Sequence, residues 1–171
     1  MSQQKTGLMY VPASAAYKAG DGYLCIPAEY SPWISTTDYY DTPERVTEAH
    51  ALLERSGLLA KLVPIAPRPA TPEELTGFHS AAYIEKLQRL SAGEGGLVGE
   101  YCRIGHGGLD VIAQAVGGDL VALDEVMARH VRNAFCLQRP PGAHAERESG
   151  FGFCVVNDFN ILIQRARKKY G

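Results

Sequence analysis

The sequence predicts an α/β fold built on a short parallel sheet. Three observations point there. Compact apolar runs at residues 6–12, 62–67 and 133–138 read as buried strands. Segments with helical spacing of apolar residues lie between them. Thr-Pro pairs, glycines and prolines mark the changes from one to the other. Strands that alternate with helices are joined by crossovers, which gives a parallel sheet.

Taken in order, TGLMYVP (6–12) is the first strand. Residues 20–42 are rich in Gly, Pro, Ser, Thr and Tyr and read as a long irregular segment, a kind of loop that is often functional in compact domains. Its aromatics Tyr30, Trp33, Tyr39 and Tyr40 either shape the mouth of a site or simply pack. Thr42 as N-cap and Pro43 at the first helical position predict a helix to about Ser56, ended by Gly57. LVPIAP (62–67) is a strand stopped by proline. A second Thr-Pro pair opens residues 71–91, which hold two helices broken near Gly77. The glycine-rich stretch 91–108 reads as loop. Leu109, Ile112, Ala113, Val116, Leu120, Leu123 and Met127 mark one face of a further helix. Gly117 and Gly118 inside it each weaken it by ~1 kcal/mol. NAFCLQ (133–138) is a buried strand. Asn157 caps a last helix with Phe159, Leu162, Ile163 and Ala166 on its apolar face and basic residues in its last turn, where they suit the helix dipole.

The chain has 171 residues, 46% apolar and 21% charged, with a net charge of −2. One domain with a real core fits this length. Without a polybasic stretch beyond RARKK, nucleic acid and anionic membranes are excluded as main partners. No apolar run approaches the ~18 residues of a membrane helix. The N-terminus lacks the charged-then-apolar form of a signal peptide. The four cysteines, Cys25, Cys102, Cys136 and Cys154, form no CxxC pair, which argues against a zinc knuckle or a disulfide framework. A reduced, cytoplasmic setting is expected.

QRPPGAHAE (138–146) leaves the third strand. Pro140 and Pro141 force the chain out of the sheet, and Gly142 permits a close backbone approach. His144 then sits on a stiff loop at the carboxyl end of a strand, where α/β sheets bind ligands. Such a loop can hold a general acid or base. A histidine in a turn can equally be a surface or hydrogen-bonding residue, and spacing does not choose between these. Gly150 and Gly152 bracket Phe151, and Phe153 offers an apolar wall. Among the other histidines, His50 lies on the apolar stripe of its helix. His79 ties two helices together by a hydrogen bond, and His106 and His130 are solvated.

RPPGAHA followed by GFCVVND closely resembles the RPPGHHA…GFCxxN signature of the histone deacetylase and acetylpolyamine amidohydrolase family, with Gly152 ten residues after Gly142. DTPERV (41–46), FHSAAYI (78–84) and residues 107–127 resemble other pieces of that family in order, in the flavour of its bacterial, class II-like members. The resemblance implies a three-layer parallel sheet with helices on both faces. It makes residues 1–171 the N-terminal part of a single deacetylase-like catalytic domain. It implies a zinc-dependent hydrolase of acylated amines such as acetyl-lysine or acetylpolyamine, in which the metal polarises the amide carbonyl and activates a water. His144 matches the histidine that moves the proton, and Ala143 stands where the family has the first histidine of the pair. Gly152 and Phe153 match residues that line the acyl tunnel. No zinc ligand is assigned among these residues. The ligands are expected beyond residue 171, on a C-terminal half of the same fold that would be this chain's partner. A homo-oligomer is a further expectation. Alanine cannot donate, accept or titrate, so hydrolysis is expected to be strongly impaired. The alternatives are a non-catalytic acyl-amide binding module and a hydrolase of a small xenobiotic or metabolic amide.

Overall fold

The computed structural model describes residues 5–23, 26–30, 33, 35 and 40–171. The chain starts with β1 (Thr6–Tyr10) and one 3-10 turn, Pro12–Ala16. Two residue pairs, β2 (Gly22–Tyr23) and β3 (Ile26–Pro27), then form a minimal hairpin within the irregular segment. Tyr39 and Cys25 lie outside the described residues. Helix α1 (Glu44–Arg55) begins one residue later than Thr42 and Pro43 suggest, with Pro43 at its N-cap and no side-chain cap. Gly57 ends it as expected, with a φ of 71°.

Strand β4 (Val63–Ile65) is followed by α2 (Pro72–Leu75) and α3 (Ala81–Ala92), the two helices expected on either side of Gly77. Thr71 and Glu74 close a capping box around the start of α2, and Ser80 caps α3. The glycine-rich stretch expected to be loop instead forms an antiparallel hairpin, β5 (Gly96–Glu100) and β6 (Cys102–Ile104). The reason is tertiary. β5 also pairs in parallel with β8 (Gly150–Phe151), a partner fifty residues away. At Gly99 a Cβ would stand 1.7 Å from the Gly150 carbonyl oxygen, so only glycine allows that approach.

Helix α4 (Gly108–Met127) carries Gly117 and Gly118 where other strands of chain crowd it. A Cβ at Gly117 would lie 1.9 Å from the Arg68 carbonyl oxygen, and one at Gly118 2.6 Å from Met9 Sδ. The propensity lost at these positions is exchanged for close packing. β7 (Asn133–Leu137) and α5 (Asp158–Tyr170), the latter capped by Asn157, complete the chain.

β4, β1 and β7 form the parallel sheet in that order, with Leu8 opposite Pro64 and Phe135. Leu8 and Leu137 meet Val46 of α1 on one face. Met9, Val11 and Ile65 meet Ala122 of α4 on the other. Helices thus cover both faces of the sheet, the three-layer α/β arrangement that was expected. A larger apolar cluster joins α3, α4 and the second sheet through Leu87, Ile104, Ile112, Leu120 and Val155. The expectation that 133–138 is a buried strand is corrected. Among the described residues β7 lies at the edge of the sheet, its burial alternates, and Phe135 is 50% exposed.

Candidate active site

The loop from Gln138 to Asn157 leaves the sheet edge and is anchored at both ends. At its entry, the buried Arg139 binds three separate parts of the chain. Its Nη1 donates to the Ser14 carbonyl at 2.7 Å and the Tyr17 carbonyl at 3.2 Å, and its Nε donates to Asp41 Oδ1 at 3.1 Å. Nη2 donates to the Asp41 carbonyl. The guanidinium lies 5.6 Å from the centre of the Tyr17 ring. Burial pushes the Asp41 carboxyl above its ordinary value, against the pull of Arg139.

At the exit, Asn157 divides its side chain between the loop and the start of α5. Nδ2 donates to the carbonyls of Ala143 (3.2 Å) and Ala145 (2.7 Å), on either side of His144, while Oδ1 accepts the Asn160 N–H (3.0 Å). The Asn157 N–H donates to His79 Nε2 at 2.9 Å. That nitrogen is therefore an acceptor, so Nδ1 carries the proton and donates to the Arg147 carbonyl at 3.1 Å. Burial holds the His79 pKa below its usual value and keeps this tautomer neutral. His79 was expected to link two helices. It links the α2–α3 junction to the loop instead.

Ala143 and His144 occupy the exposed crest of the loop. The Ala143 N–H donates to Cys154 Sγ at 3.3 Å, beneath the crest. Cys154 is a buried free thiol, pushed up by burial, and Cys102 and Cys136 are free as well. The His144 ring meets the edge of Phe151 at 6.3 Å between centres. Phe153 is half-buried and leans on the main core cluster. Gly152, at a φ of 59°, lets the chain turn between these two rings, and its N–H donates to the Glu100 carbonyl.

A second polar group lies under the loop. Asp119 of α4 and Asp158 of α5 are both buried. Gln138 Nε2 donates to Asp119 Oδ2 at 2.7 Å and to Asp158 Oδ2 at 3.3 Å. Gly142 sits directly on the Asp158 carboxyl, where a Cβ would come within 2.0 Å of Oδ2. Burial raises Asp119 to about 6, opposed by hydrogen bonds from Cys136 and Gln138. Burial, and then the charge of Asp119, raise Asp158 well above the usual carboxylate range. This pair was not read from the sequence. Its one local signal was Asp119, a carboxylate between Gly118 and Leu120 on an apolar helix.

Cavities of about 400 Å³ at Arg139 and Asp41, about 440 Å³ between Ile26, Tyr30, Glu100 and Tyr101, and about 460 Å³ between α2, α4 and α5 are present. None of these three includes His144. Among the described residues no three His, Cys, Asp or Glu side chains converge as metal ligands, so the residues present do not make a zinc site. The remaining histidines are placed by local contacts. His50 is half-buried and stacks on Tyr10 at 4.2 Å, His106 meets the Gly93 carbonyl, and His130 meets Glu125. No helix among the described residues is long and apolar enough to cross a membrane. Chemically, the loop can present one imidazole on a fixed backbone with an aromatic edge beside it.

Residues 39–171 match the histone deacetylase domain. The chain is 30% identical over 171 residues to a histone deacetylase-like amidohydrolase of Pseudomonas aeruginosa, an alignment that covers 98% of this chain and 44% of that protein. It is 32% identical over 147 residues to the polyamine deacetylase HDAC10 of Danio rerio, covering 81% of this chain and 21% of the relative. With histone deacetylase 8 of Xenopus tropicalis it shares 33% over 138 residues, 75% of this chain and 37% of the relative. The HD domain of HDA15 superposes with a TM-score of 0.84 at 18% identity, covering 98% of this chain and 44% of that one. The chain spans less than half the length of each of these relatives.

Proposed function

The chain belongs to the histone deacetylase family, and we propose that it forms the N-terminal part of an amidohydrolase domain that removes acyl groups from amines such as acetyl-lysine or acetylpolyamine. The observation that carries this reading is the clamped loop, with Asn157 holding the carbonyls on both sides of His144. A backbone fixed on both flanks keeps an imidazole where it can take a proton from water and return it to a leaving amine. Phe151 and Phe153 supply apolar walls, and Gly152 gives room between them. Zinc would be held by ligands outside the described residues, where it would polarise the acyl carbonyl. The exposed crest of the loop is the face that a further part of the fold covers, closing the acyl pocket.

Ala143 removes one of two proton-handling groups, so turnover by this chain is slow. Loss of one such group commonly lowers a rate by about 10²–10³. The test compares the Ala143→His variant with the parent in the complete, zinc-loaded catalytic domain, in an acetyl-amide assay at matched zinc content. A faster variant is expected, and equal rates would overturn the reading. A second reading, an acyl-amide binding module without turnover, is favoured by Ala143 itself. Zinc-free protein that still binds an acetyl-lysine analogue, measured by calorimetry, would support it over the first.

A further inference from the structure

Two carboxyls at Asp119 and Asp158 lie in the interior, within reach of a single amide nitrogen. The groups that act on them are the Cys136 thiol of β7, the Gln138 amide just beyond it, the Cys154 thiol, and each other. No lysine, arginine or histidine among the described residues contributes. The nearby Arg139 is committed to Asp41, and Arg165 to Asp124 and Glu74. Two bare carboxylates in such a place face a desolvation penalty that the Cys136 and Gln138 hydrogen bonds offset only in part. Gln138 Oε1 is buried and accepts no hydrogen bond among the described residues. If the amide is turned over, that oxygen faces Asp119 Oδ2 at 2.7 Å and again requires a hydrogen between them.

We propose that Asp119 and Asp158 share one proton, and that this protonated pair is a pH-operated support for the loop that carries His144. The mechanical link is Gly142, whose backbone rests on the Asp158 carboxyl. Its carbonyl accepts the Phe159 N–H at 3.4 Å, one residue beyond Asp158. Loss of the proton places two like charges under Gly142 and pushes α4 and α5 apart at the point where the loop is seated. The support is loaded at low pH and released as pH rises. The inference stands whether or not the chain hydrolyses acyl amides.

The sign follows from linkage. A carboxyl with a raised folded-state pKa stabilises the fold below its unfolded value of about 3.9 and loses that contribution as pH rises through the folded value, about 6 for Asp119. The experiment is an infrared titration of the intact chain and of Asp119→Asn and Asp158→Asn, with amide hydrogen exchange of residues 142–145 followed in parallel. The parent is expected to retain the carbonyl stretch of a protonated carboxyl above the ordinary carboxylate range, and in each variant, freed of the like charge, that band should disappear at lower pH. Protection of the 142–145 amides should fall in the parent over the same pH interval and stay level in Asp119→Asn. Absence of that band in the parent, or a titration left unchanged in both variants, would overturn the shared proton. Exchange that ignores the titration would overturn the support. Should one variant fail to fold, the titration of the other decides the first point, since the buried Asp41 carboxyl is raised as well and the parent alone does not assign the band.

Discussion

Asn157 and His79 make the strongest single-residue case. Between them they satisfy two loop carbonyls, one helix N-terminus and a third carbonyl at Arg147. His79→Ala leaves the buried Asn157 N–H without its partner, while the Arg147 carbonyl keeps the Ser80 N–H, a loss of roughly 1–3 kcal/mol. Urea denaturation checks this, and a loss below about 0.5 kcal/mol would remove His79 from the clamp. Combining His79→Ala with Asn157→Ala should cost less than the sum, because the two share a bond. The pH sign of His79 opposes that of the acid pair. Its folded pKa is lowered by burial, so its contribution is present above 6.5 and lost as pH falls through the folded value. The His79 and Asn157 side chains were legible as residue types, one as a tie and the other as a cap. Their joint action was not, because seventy-eight residues separate them.

Among the elements, α4 shows why propensity alone misleads. Alanine at position 117 should strengthen an isolated helix by about 1 kcal/mol. Here the added methyl meets the Arg68 carbonyl oxygen, so Gly117→Ala is expected to destabilise by roughly 1–3 kcal/mol, read as a lower Tm. A rise in Tm would show that the 68–70 segment yields. Thr71→Ala breaks the capping box in which Thr71 Oγ1 accepts the Glu74 N–H and Glu74 Oε2 accepts the Thr71 N–H. About 1 kcal/mol is expected from thermal unfolding. The helices were legible because apolar spacing and caps are local signals. The β5–β6 hairpin was not, since its glycines read as loop until β8 arrives beside them.

Over the whole molecule, Arg139 joins segments that lie 98 to 125 residues apart in sequence. Arg139→Ala leaves buried Asp41 with only the exposed Arg45 at 3.7 Å, and a loss of roughly 3–5 kcal/mol is expected. Arg139→Lys should recover little of it, since one ammonium cannot serve the Ser14, Tyr17 and Asp41 acceptors at once. Chemical denaturation of both variants checks this, and a lysine variant as stable as the parent would overturn it. By itself the sequence determined the alternation of strands and helices, the helix caps and the exit of a proline-stiffened loop from the third strand. These depend on neighbours within a few turns, where spacing and backbone chemistry act alone. Only the tertiary structure decided that β7 lies at the edge of the sheet among the described residues, that the loop is clamped through His79 and Asn157, and that two distant aspartates meet beneath Gly142. Desolvation and hydrogen-bond partnership belong to groups brought together in space, and no local pattern encodes which groups those are.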